Sequence, residues 1–260
     1  MILNKKLLIN IEIAKTLSIN SLKVKYRRNF LGILWSLLNP LLSITLVSLV
    51  FSLVMGLKYT DFILIFFPAF LAWNLFASIL TGSMGSLLLN EGLIKKTPIE
   101  LFVFPLATLM TSSIEFMISF VVLLLISFFI GLTFTVNLLL LPLAFLLLAM
   151  FSIGIGLIFS IICTKWRDLI HIIGILLQLL FYLSPVLYPK DFVLGKNVFV
   201  DYLFAINPMV YYIDLFRAPI AHASMVSSHT LFMATVFAFI SFILGLIVFS
   251  KSKTNLAVRM

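Results

Sequence analysis

One cysteine, three histidines and nine carboxylates are all that 260 residues offer to metal or acid–base chemistry. With Cys163 alone, no disulfide forms within the chain, and the redox compartment is not encoded. His171, His222 and His229 are scattered, and no group of His, Cys and carboxylate has metal-ligand spacing, so no metal is expected. There is no H-E-x-x-H, and Gly195-Lys196 lacks the upstream glycine of a phosphate loop, which excludes nucleotide binding in that manner. Charge is scarce as well. Only 10% of residues are charged and 63% are hydrophobic, where a soluble domain is about a quarter charged. Too few polar residues remain to coat a globule, and no stretch of domain size has ordinary composition.

What is present is a series of apolar runs with short connections, at a mean hydropathy of +1.23. The net charge of +9 is placed by topology and does not point to nucleic acid. Residues 1–29 carry seven Lys and Arg and read as a helix on the cytoplasmic membrane surface, with Ile9, Ile13, Leu17 and Val24 on one face. Glu12 and Lys15 interrupt the early apolar residues and no small-residue cleavage site follows, so no signal peptide is expected. The cations Lys23, Lys25, Arg27 and Arg28 then run into an apolar stretch that opens at Phe30, with Trp35 just inside and Asn39-Pro40 following. Arginine seeks water and headgroups while the run seeks hydrocarbon, so this stretch sets the depth and direction of the first crossing.

The pattern predicts an all-α integral membrane protein forming one transmembrane domain over 1–260. Spans one to five occupy 30–187, with approximate limits 31–57, 62–89, 101–131, 138–163 and 170–187. Residues 188–229 hold apolar pieces too short for a core of ~30 Å, broken by Asp201, Asn207-Pro208, Asp214, Arg217 and Pro219. They read as an outer re-entrant helical hairpin. Span six and a basic tail fill 230–260. Ser78, Gly82 and Ser86, and again Ser152, Gly156 and Ser160, lie four apart and predict close helix packing. Six crossings place both termini together with fourteen of the eighteen Lys and Arg, hence in the cytoplasm. Glu115 is the one deep charge, and a carboxylate at that depth is a site hypothesis by default.

The order of these elements resembles the membrane-spanning permease of ABC exporters of lipid-linked polysaccharide, the family that exports O-antigen, capsule and teichoic acid. The resemblance covers nearly the whole chain. LKVKYRRNFLGILWSLLNP (Leu22–Pro40) is its strongest marker. LIKKTPIELFVFP (Leu93–Pro105), WRDL (Trp166–Leu169), LSPVLYP (Leu183–Pro189) and INPM (Ile206–Met209) follow in the family's order. The resemblance implies a homodimer in a bacterial inner or plasma membrane, joined by two copies of a separate P-loop ATPase that holds ATP and Mg. This chain then binds no cofactor and catalyses no covalent step.

It further implies that Asn90, Glu91, Lys95, Lys96, Thr97 and Pro98 form the turn seated in the ATPase, with Thr97-Pro98 starting a short helix. The lipid-linked glycan passes between the two copies. Trp35, Asn39, Glu115, Phe181, Tyr182 and Tyr188 are candidates for its path, since aromatic faces tolerate varied sugar rings. Asp201, Asn207, Pro208, Tyr211, Tyr212 and Asp214 are candidates for an outer gate. An ABC permease for a drug or small lipid is the nearest alternative. A membrane-embedded enzyme acting on lipid-linked sugars ranks lower, because the outer acids are dispersed.

Overall fold

The computed structural model describes residues 2–27, 32–131, 135–221 and 224–259. Arg28 and His222 therefore lie outside the described residues. In hydrocarbon a single segment satisfies its backbone only by bonding within itself, and the described residues are helical with no strand. The order is α1 (Ile2–Tyr26), α2 (Trp35–Met55), α3 (Tyr59–Leu89), α4 (Glu91–Lys96), α5 (Val103–Ile130), α6 (Leu141–Lys165), α7 (Leu169–Leu183), α8 (Val198–Ile206), α9 (Pro208–Ala221) and α10 (Ser228–Arg259).

Among the described residues, α2, α3, α5, α6 and α10 are long and apolar enough to cross a bilayer. The predicted fifth span is shorter than its pattern suggests. α7 has 15 residues, about 22 Å of helix against a core of ~30 Å. It ends at Leu183 and not Leu187, because Ser184 precedes Pro185 and is extended at φ −95, ψ 144. α8 and α9 together have the apolar length of a span but meet at 81°, with Asn207 at the corner.

α3 is the axis of the bundle. It packs against α2, α5, α6, α7 and α9, and its Phe62, Phe66, Phe67, Ile79 and Leu87 are at most 1% exposed. Lipid supplies no hydrophobic drive between helices, so association depends on close approach. Both predicted small-residue stripes are used that way. A Cβ on Gly156 would stand 2.8 Å from that of Ser83, and one on Gly82 would stand 2.3 Å from the Thr108 methyl. The tightest approach joins α6 to α10, where a Cβ on Gly245 would fall 2.3 Å from the Gly154 carbonyl oxygen.

α1 runs parallel to α5 along the first half of that span. Lys6 pairs with Glu100 at 2.7 Å, Ala14 packs with Val103 and Ala107, the Ser18 and Thr111 hydroxyls lie 3.0 Å apart, and Lys25 pairs with Glu115 at 2.5 Å. The docked face is Ile13, Ala14, Leu17 and Ser18, while Ile9 and Val24 of the predicted stripe are exposed. Small residues won over apolar area because they let the two backbones approach.

Gly245→Ala drives a methyl into the α6 backbone and is expected to cost on the order of 1–3 kcal/mol. Gly92→Ala on α4, with nothing within 4 Å of its added Cβ, is expected to change stability by less than about 0.5 kcal/mol. Thermal unfolding of the two variants in one detergent checks the contrast.

Candidate functional site

Three helices aim polar side chains at one volume. Trp35 and Asn39 are four apart on α2. Asn74, Ser78 and Thr81 follow i, i+4, i+7 on α3, and Ser112, Glu115 and Ser119 follow i, i+3, i+7 on α5. Each set is one helical face. Together with Lys25 and Tyr26 at the end of α1 they line a cavity of about 780 Å³. Glu115 lies twelve residues into α5, about 18 Å along the helix. Its carboxylate accepts from Lys25 Nζ at 2.5 Å and from the Tyr26 hydroxyl at 3.1 Å. The small hydroxyls turn back to their own helices: Ser78, Thr81 and Ser119 donate to the carbonyls of Leu75, Ala77 and Glu115. Their oxygens are left as acceptors.

Asn39 and Asn74 are exposed, and neither amide meets a hydrogen-bond partner among the described residues. Asn74 stands at the midpoint of α3. An amide there faces water or another polar group, because lipid would leave it unsatisfied. The cavity is thus the non-lipid side of α2, α3 and α5.

Of the predicted path residues, the fold brings Trp35, Asn39 and Glu115 together here. It sends the other three elsewhere. Phe181 stacks edge-on against Trp73 at 5.5 Å, Tyr182 is exposed on α7, and the Tyr188 hydroxyl donates to the Tyr182 carbonyl at 3.1 Å. Of the predicted cations, Lys25 is paired while Lys23 and Arg27 are exposed.

On the α4 side, the short helix is Glu91–Lys96, and Thr97 ends it instead of starting it. A residue before proline is pushed to extended backbone, and Thr97 has φ −135, ψ 142. Asn90 closes α3, its amide donating to the Ser86 carbonyl at 2.8 Å. Glu91 pairs with Lys95 at 2.7 Å and with Arg167, from the α6–α7 turn, at 3.7 Å. The hydrogen bond and charge of Lys95, with Arg167 behind it, hold the Glu91 carboxyl below its usual range. This bridge is therefore present above the ordinary carboxylate pKa and is lost only as pH falls through the lowered one. Lys96, Pro98, Trp166 and Leu89 are exposed beside it.

The predicted outer residues build the corner of α8 and α9. Asn207 donates to Ser184 at 2.9 Å and accepts from the Met209 amide at 3.0 Å, and Pro208 opens α9. Asp201 accepts from the Gly195 amide at 3.0 Å, and Asp214 pairs with Lys190. Tyr211 donates to the Ala205 carbonyl. Tyr212 is fully buried in the core, where it donates to the Ala234 carbonyl at 2.8 Å. Sequence reasoning missed Arg217, which is 3% exposed. Its guanidinium donates to the carbonyls of Ile65, Tyr188, Pro185 and Val186, pinning the 184–188 segment to α3. It also missed Asn74, Thr81, Ser112 and Ser119, although their helical spacing on α3 and α5 is a readable signal.

The profile of one protein family, described as ABC-2 type transporter, matches residues 13–221. An O-antigen export system permease protein, RfbA, of Klebsiella pneumoniae is 30% identical over 241 residues, covering 91% of this chain and 90% of the relative. An RfbA of Myxococcus xanthus is 30% identical over 197 residues, covering 76% and 75%. The polysialic acid transport protein KpsM of Escherichia coli is 26% identical over 238 residues, covering 89% and 90%.

Two measurements check the geometry. Cysteines placed at Ser18 and Thr111 in a Cys163→Ala chain are expected to crosslink on mild oxidation, and Glu115→Gln is expected to lower the yield by releasing the end of α1. Arg217→Leu strands four carbonyls and is expected to cost on the order of 3 kcal/mol in thermal unfolding. Arg217→Lys is expected to recover little of that, since an ammonium cannot reproduce the planar fork.

Proposed function

The chain belongs to the ABC-2 type transporter family, and on that premise we propose that it is the permease of an ATP-driven exporter of a lipid-linked polysaccharide. The names of its relatives, O-antigen export and polysialic acid transport, support that cargo class, and capsule and teichoic acid join it through the resemblance carried by Leu22–Pro40. Two copies pair, and two copies of a P-loop ATPase carrying ATP and Mg dock on the cytoplasmic side. Both termini lie in the cytoplasm, α1 runs beside the cytoplasmic half of α5, and the α8–α9 corner covers the outer mouth. The permease itself makes and breaks no covalent bond.

The observation that carries the reading is the junction at Glu91. α4 follows α3 and precedes α5, while Arg167 stands between α6 and α7. A displacement of α4 by a docked ATPase therefore reaches four helices at once, through two backbone connections and one ion pair. Exposed Lys95, Lys96 and Trp166 give that partner cationic and aromatic contacts. Pairing of two copies is supported by α2 and α7, whose outward faces are bare. Leu42, Leu46, Leu49 and Leu53 on α2, and Ile172, Ile175 and Leu179 on α7, are all exposed. Gln178, exposed within apolar α7, is better placed against a second copy or a hydrated path than against lipid.

Purification of the tagged chain from native membranes is expected to bring down a P-loop ATPase in equal amount. The double change Lys95→Glu, Lys96→Glu is expected to lose it, and Arg167→Glu to keep it while lowering transport-linked ATP hydrolysis several-fold. A chain that emerges alone, or with biosynthetic enzymes only, contradicts the reading.

A further inference from the structure

We propose that the cavity between α1, α2, α3 and α5 is a binding site for a neutral pyranose unit of the cargo, one site in each copy. The inference rests on the exporter reading above and deepens it. It starts from charge. Lys25 and Glu115 are paired at 2.5 Å, so this end of the cavity presents a neutralised carboxylate and no spare cation from that pair. A phosphate or uronate would shed water here with no net positive charge from the pair to offset the cost of desolvating its own. A neutral sugar meets no such penalty.

The walls have the chemistry that a pyranose needs. Asn39 and Asn74 face the volume from opposite helices, and each amide both donates and accepts, as a pair of ring hydroxyls does. Hydroxyl oxygens on α3 and α5 add acceptors, their hydrogens already given to helix carbonyls. Trp35 and Tyr26 supply aromatic surface for the apolar face of a ring. A volume of about 780 Å³ lies inside the range of small-molecule pockets, ~300–1,000 Å³. The position matters most, because a glycan inside a bilayer has to exchange its water for protein hydrogen bonds. A site built from the middle of α3 and α5 offers that exchange where hydrocarbon surrounds the bundle.

The test uses the full chain in lipid nanodiscs and saturation-transfer NMR. The probes are a neutral hexose tetrasaccharide, a uronic acid oligomer of equal length, and inorganic pyrophosphate. The neutral probe is expected to give a saturable response at least about tenfold stronger than the other two. Asn74→Leu and Asn39→Leu, on separate walls, are each expected to weaken it about tenfold, the effect of losing one well-made polar contact. Melting temperatures confirm which variants are folded, so that one of the pair failing leaves the other decisive. No saturable response from the neutral probe, tighter binding of pyrophosphate, or folded variants that bind normally would each overturn the inference. Movement of lipid-linked glycan into inverted vesicles by the chain with its ATPase is measured alongside. Glycan movement without a sugar site leaves the exporter standing and removes this inference. Sugar binding without glycan movement does the reverse.

Discussion

A polar side chain in hydrocarbon has to find water or protein, and the strongly polar groups of this bundle are arranged to answer that demand. Glu115 finds Lys25 and Tyr26. Arg217 finds four carbonyls. Ser78, Thr81 and Ser152 turn their hydrogens back onto their own helices. Among the described residues Asn39 and Asn74 have no such solution, and so they declare which surface of α2 and α3 is wet. In a soluble protein an exposed Asn carries no information. In a spanning helix it marks a functional surface.

The Lys25–Glu115 pair also ties α1 to the wall of the cavity. It fixes the last turn of α1 to α5, while Lys6–Glu100 fixes the first. The same helix α5 begins just after α4. An ATPase pressing on α4 therefore acts near one end of α5, while the wall of the cavity is formed farther along it. On the proposed reading, the end of α5 that receives the push and the wall of the cavity are two parts of one helix.

Much of this was legible in sequence. Hydropathy located every long span within a few residues, and the fourfold spacing of Ser, Gly and Ser predicted which faces pack. Resemblance of Leu22–Pro40 pointed to the family. Three things were hidden. The docking of α1 on α5 was not foreseen: Ile13 and Leu17 of the apolar stripe take part in it, but the small Ala14 and Ser18 at its centre gave no hydropathy signal. The limits of α4 and α7 depended on Thr97 and Ser184, each forced to extended backbone by the proline that follows. Arg217 looked like one more outer cation in a charge count, since nothing local reveals that carbonyls from α3 and from 185–188 converge on it. The cavity lay between these cases: its residues were spaced in a readable way on each helix, but their convergence needed three helices in place.

The contact of Gly154 with Gly245 leaves no layer of side chains between α6 and α10. Side chains are what allow neighbouring helices to slide, by exchanging rotamers as they pass. Two backbones in direct contact have no such intermediary, so the separation of the two helices is fixed at that level. One end of α6 leads into the turn that holds Arg167, and α10 follows the α8–α9 corner. The pair thus shares one close-packed seam, placed between the turn that holds Arg167 and the α8–α9 corner.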